Sequence, residues 1–263
     1  MLLTNLQMHD SYPGKAAKAK LCWGKNVHEE GDMPWQHMFG CMDAVFCVLI
    51  KIGLWLEIFH ALVPDGRFCP FMFAFLDFPC TNPQEPMVEE MDDWAGKIKS
   101  KVYHEICRVM KNLAMAVKDL FRTHLICKMA STWVRGNSVA KDDKDHCGPW
   151  ARKHISDIYD DVELDSVDAK VAAVLCQSGV CNYVVDDPTV TTDWITQNVT
   201  PNITQVFVPV LGVLFGKALL WLAYSNRAHV MPPSMVDSIL CHIPSHSDNR
   251  KFSCCAQAGV RVR

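Results

Sequence analysis

The stretch VFVPVLGVLFGKALLWLAY, residues 206–224, decides the fold, because it reads either as a membrane span or as the middle of a packed core. As one helix its 19 residues extend about 28 Å, just short of a hydrocarbon layer of about 30 Å. Eleven Val, Leu and Phe residues favour insertion by roughly 0.3–0.6 kcal/mol each, whereas a central lysine opposes it by roughly 2.5–3.5 kcal/mol. Lys217 is that lysine, and Pro209, Gly212 and Gly216 weaken the segment further. The two glycines form a GxxxG, which admits a close neighbour in lipid and equally in a core away from lipid.

The decision passes to a second apolar segment, MDAVFCVLIKIGLWLEIFHALV at 42–63. No lysine or arginine lies between Lys170 and Lys217, and Arg227 follows the segment, so the positive-inside rule puts the C-terminal flank in the cytoplasm. The opening residues contain no continuous apolar run of the signal-peptide kind. Residues 42–63 would therefore have to insert first, giving a hairpin through 42–63 and 206–224 with both ends cytoplasmic. Lys15, Lys18, Lys20 and Lys25 agree with that orientation. The sequons Asn198-Val199-Thr200 and Asn202-Ile203-Thr204 would then face the lumen. Lys51, Glu57 and His60 make the first span expensive, because ionisable groups resist lipid. The preferred expectation is a cytoplasmic protein in which both segments are central core helices; the two-span hairpin is the alternative.

Between them lies the clearest periodicity. From 88 to 122, apolar residues at Met91, Ala95, Ile98, Val102, Ile106, Val109, Leu113, Val117 and Leu120 recur every three or four positions, as one face of a helix requires. Glu89, Glu90, Asp92 and Asp93 open it, in keeping with the helix dipole. The expected fold is therefore mainly α, with its core built from 42–63, the apolar face of 88–122, and 206–224. The proline-rich stretch near 80–87 suggests an N-terminal segment, 1–80, followed by a helical domain, 81–263, or one domain that joins them.

The other face of 88–122 carries Lys97, Lys101, His104, Arg108, Lys111, Lys118 and Arg122 in steps that hold them on one stripe. Six are permanent cations. Such a stripe is either a solvated face or a contact for phosphates, on nucleic acid or on an anionic lipid surface. Six phosphate contacts on DNA would give a log-log salt slope of about −5. Whole-chain charge does not decide the matter, because the net charge is only −3.

An acidic block follows. In SDIYDDVELDSVD, Asp157, Asp160, Asp161 and Asp165 share one helix face and could gather Mg2+ for a diphosphate substrate. The stretch resembles the aspartate-rich helix of the all-helical isoprenoid synthases, and that resemblance implies a magnesium-dependent enzyme. The spacing DDVELD departs from that family's versions, and no second metal motif follows. Neighbouring acids could instead pair with the basic stripe.

Thirteen cysteines make the chain cysteine-rich. Their odd number and irregular spacing favour buried thiols over a disulfide framework. Cys176, Cys181, Cys241, His242 and His246 supply zinc-type donors without a zinc-type spacing. The fragments WGKNVHEEG and LFGKALLWLAY are similar to globin segments, and RFCPF and RGNSVAKDD to glutathione transferase segments. Neither similarity extends over a domain, so no site residue is carried over from either. The common nucleotide, metalloprotease and hydrolase signatures are absent. The leading expectation is a non-enzymatic helical protein that binds an acidic partner.

Overall fold

The computed structural model describes residues 5–20, 35–62, 97, 100, 101, 103–105, 108, 123–141, 143, 144, 165–176, 179–206, 209–225, 228–242 and 252–256. Its centre is a sheet, which corrects the expectation of a mainly α protein. Five antiparallel strands, β1 (Leu6–Met8), β2 (Ala16–Lys20), β3 (Trp35–Cys41), β4 (Val180–Val185) and β5 (Phe252–Ala256), lie side by side in that order. The local reason is a hairpin: His9 N–H donates to Ala16 O at 3.1 Å, and Gly14, at φ +69°, makes the turn. The long-range reason is burial. Ala16 and Ala17 point to opposite faces of the sheet and both are fully buried, so helices or loops cover both faces there.

The sequence hides this sheet because its strands are short and its second strand, AAKAK, is made of residues that favour helices. The pair β3–β4 also joins residues about 140 positions apart, with Gly40 opposite Cys181. Gly40 is needed there, since a Cβ would come within 2.6 Å of Cys181 O.

The helices are α1 (Val48–Leu62), α2 (Thr123–Gly136), α3 (Asp165–Leu175), α4 (Thr192–Asn198), α5 (Pro201–Val206), α6 (Pro209–Tyr224) and α7 (Pro233–Cys241). The two apolar segments do form central core helices. α1 packs on α6, α5 and β3, while α6 also packs on α4, α7, β4, β5 and β1. Leu49, Ile50, Leu56, Phe215, Leu219 and Leu220 of these two helices are wholly buried.

Both helices are shorter than the sequence suggests. α1 starts only at Val48, after an Asp43 side chain that accepts from Val45 N–H at 2.9 Å. Val206 ends α5, and Pro209 opens α6 as a first-turn proline can. Sixteen residues in α6 rise only about 24 Å, and among the described residues no helix is long and apolar enough to cross a membrane. Neither α1 nor α6, as described, has the length that each span of the hairpin through 42–63 and 206–224 requires.

The GxxxG has its use within the core. A Cβ on Gly216 would meet Ile195 Cγ2 at 2.3 Å, and one on Gly212 would meet Thr204 Oγ1 at 2.8 Å. The bare glycine backbone lets α4 and α5 lie directly on α6.

Candidate functional site

Lys97, Lys101, His104 and Arg108 are helical and on the outside of the protein, Lys101 partly so. Their spacing of four, three and four keeps them on one edge, with Ser100, Tyr103 and Glu105 exposed beside them. Arg108 Nε donates to Glu105 Oε2 at 2.7 Å in an exposed i, i+3 pair. Such a pair is weak and gives way readily to a stronger anion. Lys111, Lys118 and Arg122, the rest of the stripe, lie outside the described residues.

Of the proposed magnesium ligands, Asp165 is the first residue of α3. Asp157, Asp160 and Asp161 lie outside the described residues, so that site is not assembled here. Asp143, which precedes that acidic stretch, accepts from Lys170 Nζ, which follows it, at 2.8 Å.

The cysteines and histidines set aside for zinc are not brought together. Cys176 and Cys181 are buried near β4, whereas Cys241 and His242 are exposed at the end of α7. His246 lies outside the described residues. Among the described residues no group of three or more metal-type side chains is close enough to hold an ion. Cys41, Cys47 and Cys176 form instead a buried sulfur cluster under β3. The Tyr183 hydroxyl donates to Cys41 O at 2.9 Å and lies 2.9 Å from Cys47 Sγ. Burial pushes the Cys47 thiol up, and its contact with Cys41, together with burial, pushes Cys176 up. Cys47 and Cys176 therefore stay protonated and pack the core.

Two buried histidines meet at the sheet edge, with His9 Nε2 and His37 Nδ1 2.5 Å apart. Ser11 N–H donates to His9 Nδ1 at 3.2 Å, which leaves Nε2 of neutral His9 as its proton-bearing nitrogen. His9 therefore donates to His37, and Tyr12 and Phe39 enclose the pair.

The most developed polar arrangement centres on Glu57, which sequence reasoning treated only as an obstacle to membrane insertion. It is 6% exposed, in the middle of α1. Its Oε1 accepts from Asn202 Nδ2 at 2.6 Å and from Asn202 N–H at 3.2 Å, and its Oε2 accepts from Ile203 N–H at 3.0 Å. The carboxylate thus occupies the N-terminus of α5, where unpaired N–H groups and the helix dipole favour an anion. Burial nonetheless pushes the Glu57 carboxyl up from its usual range, against the pull of those bonds. One turn later His60 is also buried, and burial alone lowers it to about 4, so it stays neutral near pH 7.

Glu57 lines a cavity of about 340 Å³ between α1, the α4–α5 corner and α7. Ile58, Leu62, Val199, Pro201, Met235 and Ile239 form its apolar walls. The corner also disposes of both sequons. Asn202 holds Glu57, Asn198 Nδ2 donates to Trp194 O at 2.9 Å, and Thr200 is fully buried with its hydroxyl on Gly212 O at 3.1 Å. Glycans on either asparagine would break the fold's own contacts. Compared with models of known protein families, with curated proteins and with solved structures, the chain matches none.

Proposed function

We propose that the protein is a non-enzymatic binding protein whose helical edge at Lys97, Lys101, His104 and Arg108 contacts a phosphate-bearing partner. What supports this reading is that all four positions are helical, three of them exposed and Lys101 partly so, at spacings that share one edge of a helix. From Lys97 to Arg108 the edge runs about 16 Å, long enough to meet several phosphates in succession. Arg108 can present a planar fork to a phosphate once it leaves Glu105. In this reading the chain works in the cytoplasm, where nucleic acid and anionic lipid headgroups both display such phosphates.

The test is binding to a labelled DNA duplex and to phosphatidylserine vesicles over a range of salt. Three permanent cations engaged on a duplex give a log-log slope of about −3, and more if the stripe continues. Reversal of Lys97, Lys101 and Arg108 to Glu should remove the salt-sensitive binding from whichever surface is preferred. Binding that survives the triple reversal with its slope unchanged sinks the reading.

A further inference from the structure

We infer that the cavity beside Glu57 is a binding site for a small organic ammonium ion with an apolar body. The walls and the charge argue for different parts of that ligand. The walls are aliphatic side chains and prolines from α1, the α4–α5 corner and α7, so they favour a hydrocarbon or aromatic body. At about 340 Å³ the space suits a molecule of roughly a dozen non-hydrogen atoms.

The charge is that of Glu57. Among the described residues lining the cavity it is the only ionisable one, and no described lysine or arginine pairs with it. Neutral His60 supplies no positive charge. Three N–H donors hold the carboxylate, two on Oε1 and one on Oε2. A carboxylate accepts about four such bonds, so Oε2 retains one acceptor position. A neutral donor would fill it; an ammonium group would fill it and also balance a buried charge, which makes the bond stronger. An anion is repelled. Asn198, Ser234 and Ser238 add neutral polar groups to the lining without altering its sign.

This site shares no residue with the Lys97–Arg108 edge, so the two readings stand or fall separately. The test uses the full chain and three probes of one shape: phenethylammonium, 2-phenylethanol and 3-phenylpropionate, each titrated by NMR at neutral pH. Phenethylammonium is expected to bind saturably and about tenfold or more tightly than the alcohol, as a charge-assisted bond in place of a neutral one would give. The carboxylate is expected not to bind. Ser238→Trp, which fills the cavity from an exposed position of α7, should abolish binding while thermal unfolding stays as in the parent protein. Glu57→Gln should erase the preference for the ammonium over the alcohol.

No saturable binding of phenethylammonium up to about 10 mM, the weak end for a fragment of this size, overturns the inference. So does equal affinity for the alcohol, or binding that persists in a folded Ser238→Trp protein. The comparison of the three probes on the parent chain decides the matter even if a variant fails to fold.

Discussion

The two central helices are equally apolar by sequence yet reach the core by opposite means. α1 carries three ionisable residues and places each differently: Lys51 faces solvent, Glu57 caps α5, and His60 is buried neutral. α6 carries one, the half-buried Lys217, and gains its neighbours by giving up side chains at Gly212 and Gly216. A helix hydrophobic all round must be surrounded, and the surroundings can be built either by satisfying its polar groups or by removing bulk. α5 needs both devices, since it is held by Glu57 on one side and lies on Gly212 on the other.

The largest effect should come from the residue the two helices share. Phe215 is wholly buried on α6 and its Cβ lies 3.2 Å from where a Cβ on Gly53 of α1 would sit. Phe215→Ala should destabilise the protein by about 3–5 kcal/mol, read as a shift in the urea midpoint, because transfer and cavity costs add. A loss below about 1 kcal/mol would mean that α1 and α6 are not packed as described.

Next in size is Gly216→Val. Its new Cβ would overlap Ile195 Cγ2, so α4 has to move, at a cost of about 1–3 kcal/mol. Gly53→Ala is the contrasting case: the neighbour at 3.2 Å needs to give only slightly, and alanine recovers up to about 1 kcal/mol of helix propensity. The two substitutions should therefore differ in sign or nearly so. If both cost the same, close approach at Gly216 is not what seats α4.

Much of this core was legible. Long apolar runs marked both helices, and α6 ends at Tyr224, where the apolar stretch does. The sheet was not legible, for a physical reason. Three residues in β1 and five in β2 are too few to show an alternation, and Ala16, Ala17 and Ala19 are strand residues only because β3 and the core close over them. At the candidate cavity the sequence displayed the donor and the acceptor separately. Asn202 stood out as a sequon and Glu57 as a defect in an apolar helix, 145 positions away. A buried carboxylate demands N–H partners, but nothing local in the chain says which segment supplies them. On the basic stripe, periodicity anticipated the helical backbone at Lys97, Lys101, His104 and Arg108.

The effect that depends on pH separates the two ionisable residues buried on α1. Burial raises the Glu57 carboxyl above about 4.5, so the folded protein holds that proton more tightly than the unfolded chain. Its stabilising contribution is complete below about pH 4.5 and is lost as pH rises through the raised value. His60 runs the other way. Burial lowers it from about 6.5 to about 4, so its contribution is complete above about pH 6.5 and is lost as pH falls toward 4. Urea midpoints measured from pH 4 to pH 8 should therefore fall less steeply on acidification in His60→Leu than in the parent protein. Glu57→Gln should instead remove the loss on the alkaline side of its window, leaving a curve that declines only toward acid. If His60→Leu leaves the acid limb unchanged, His60 is not buried in the folded protein, and α1 turns a different face to the core.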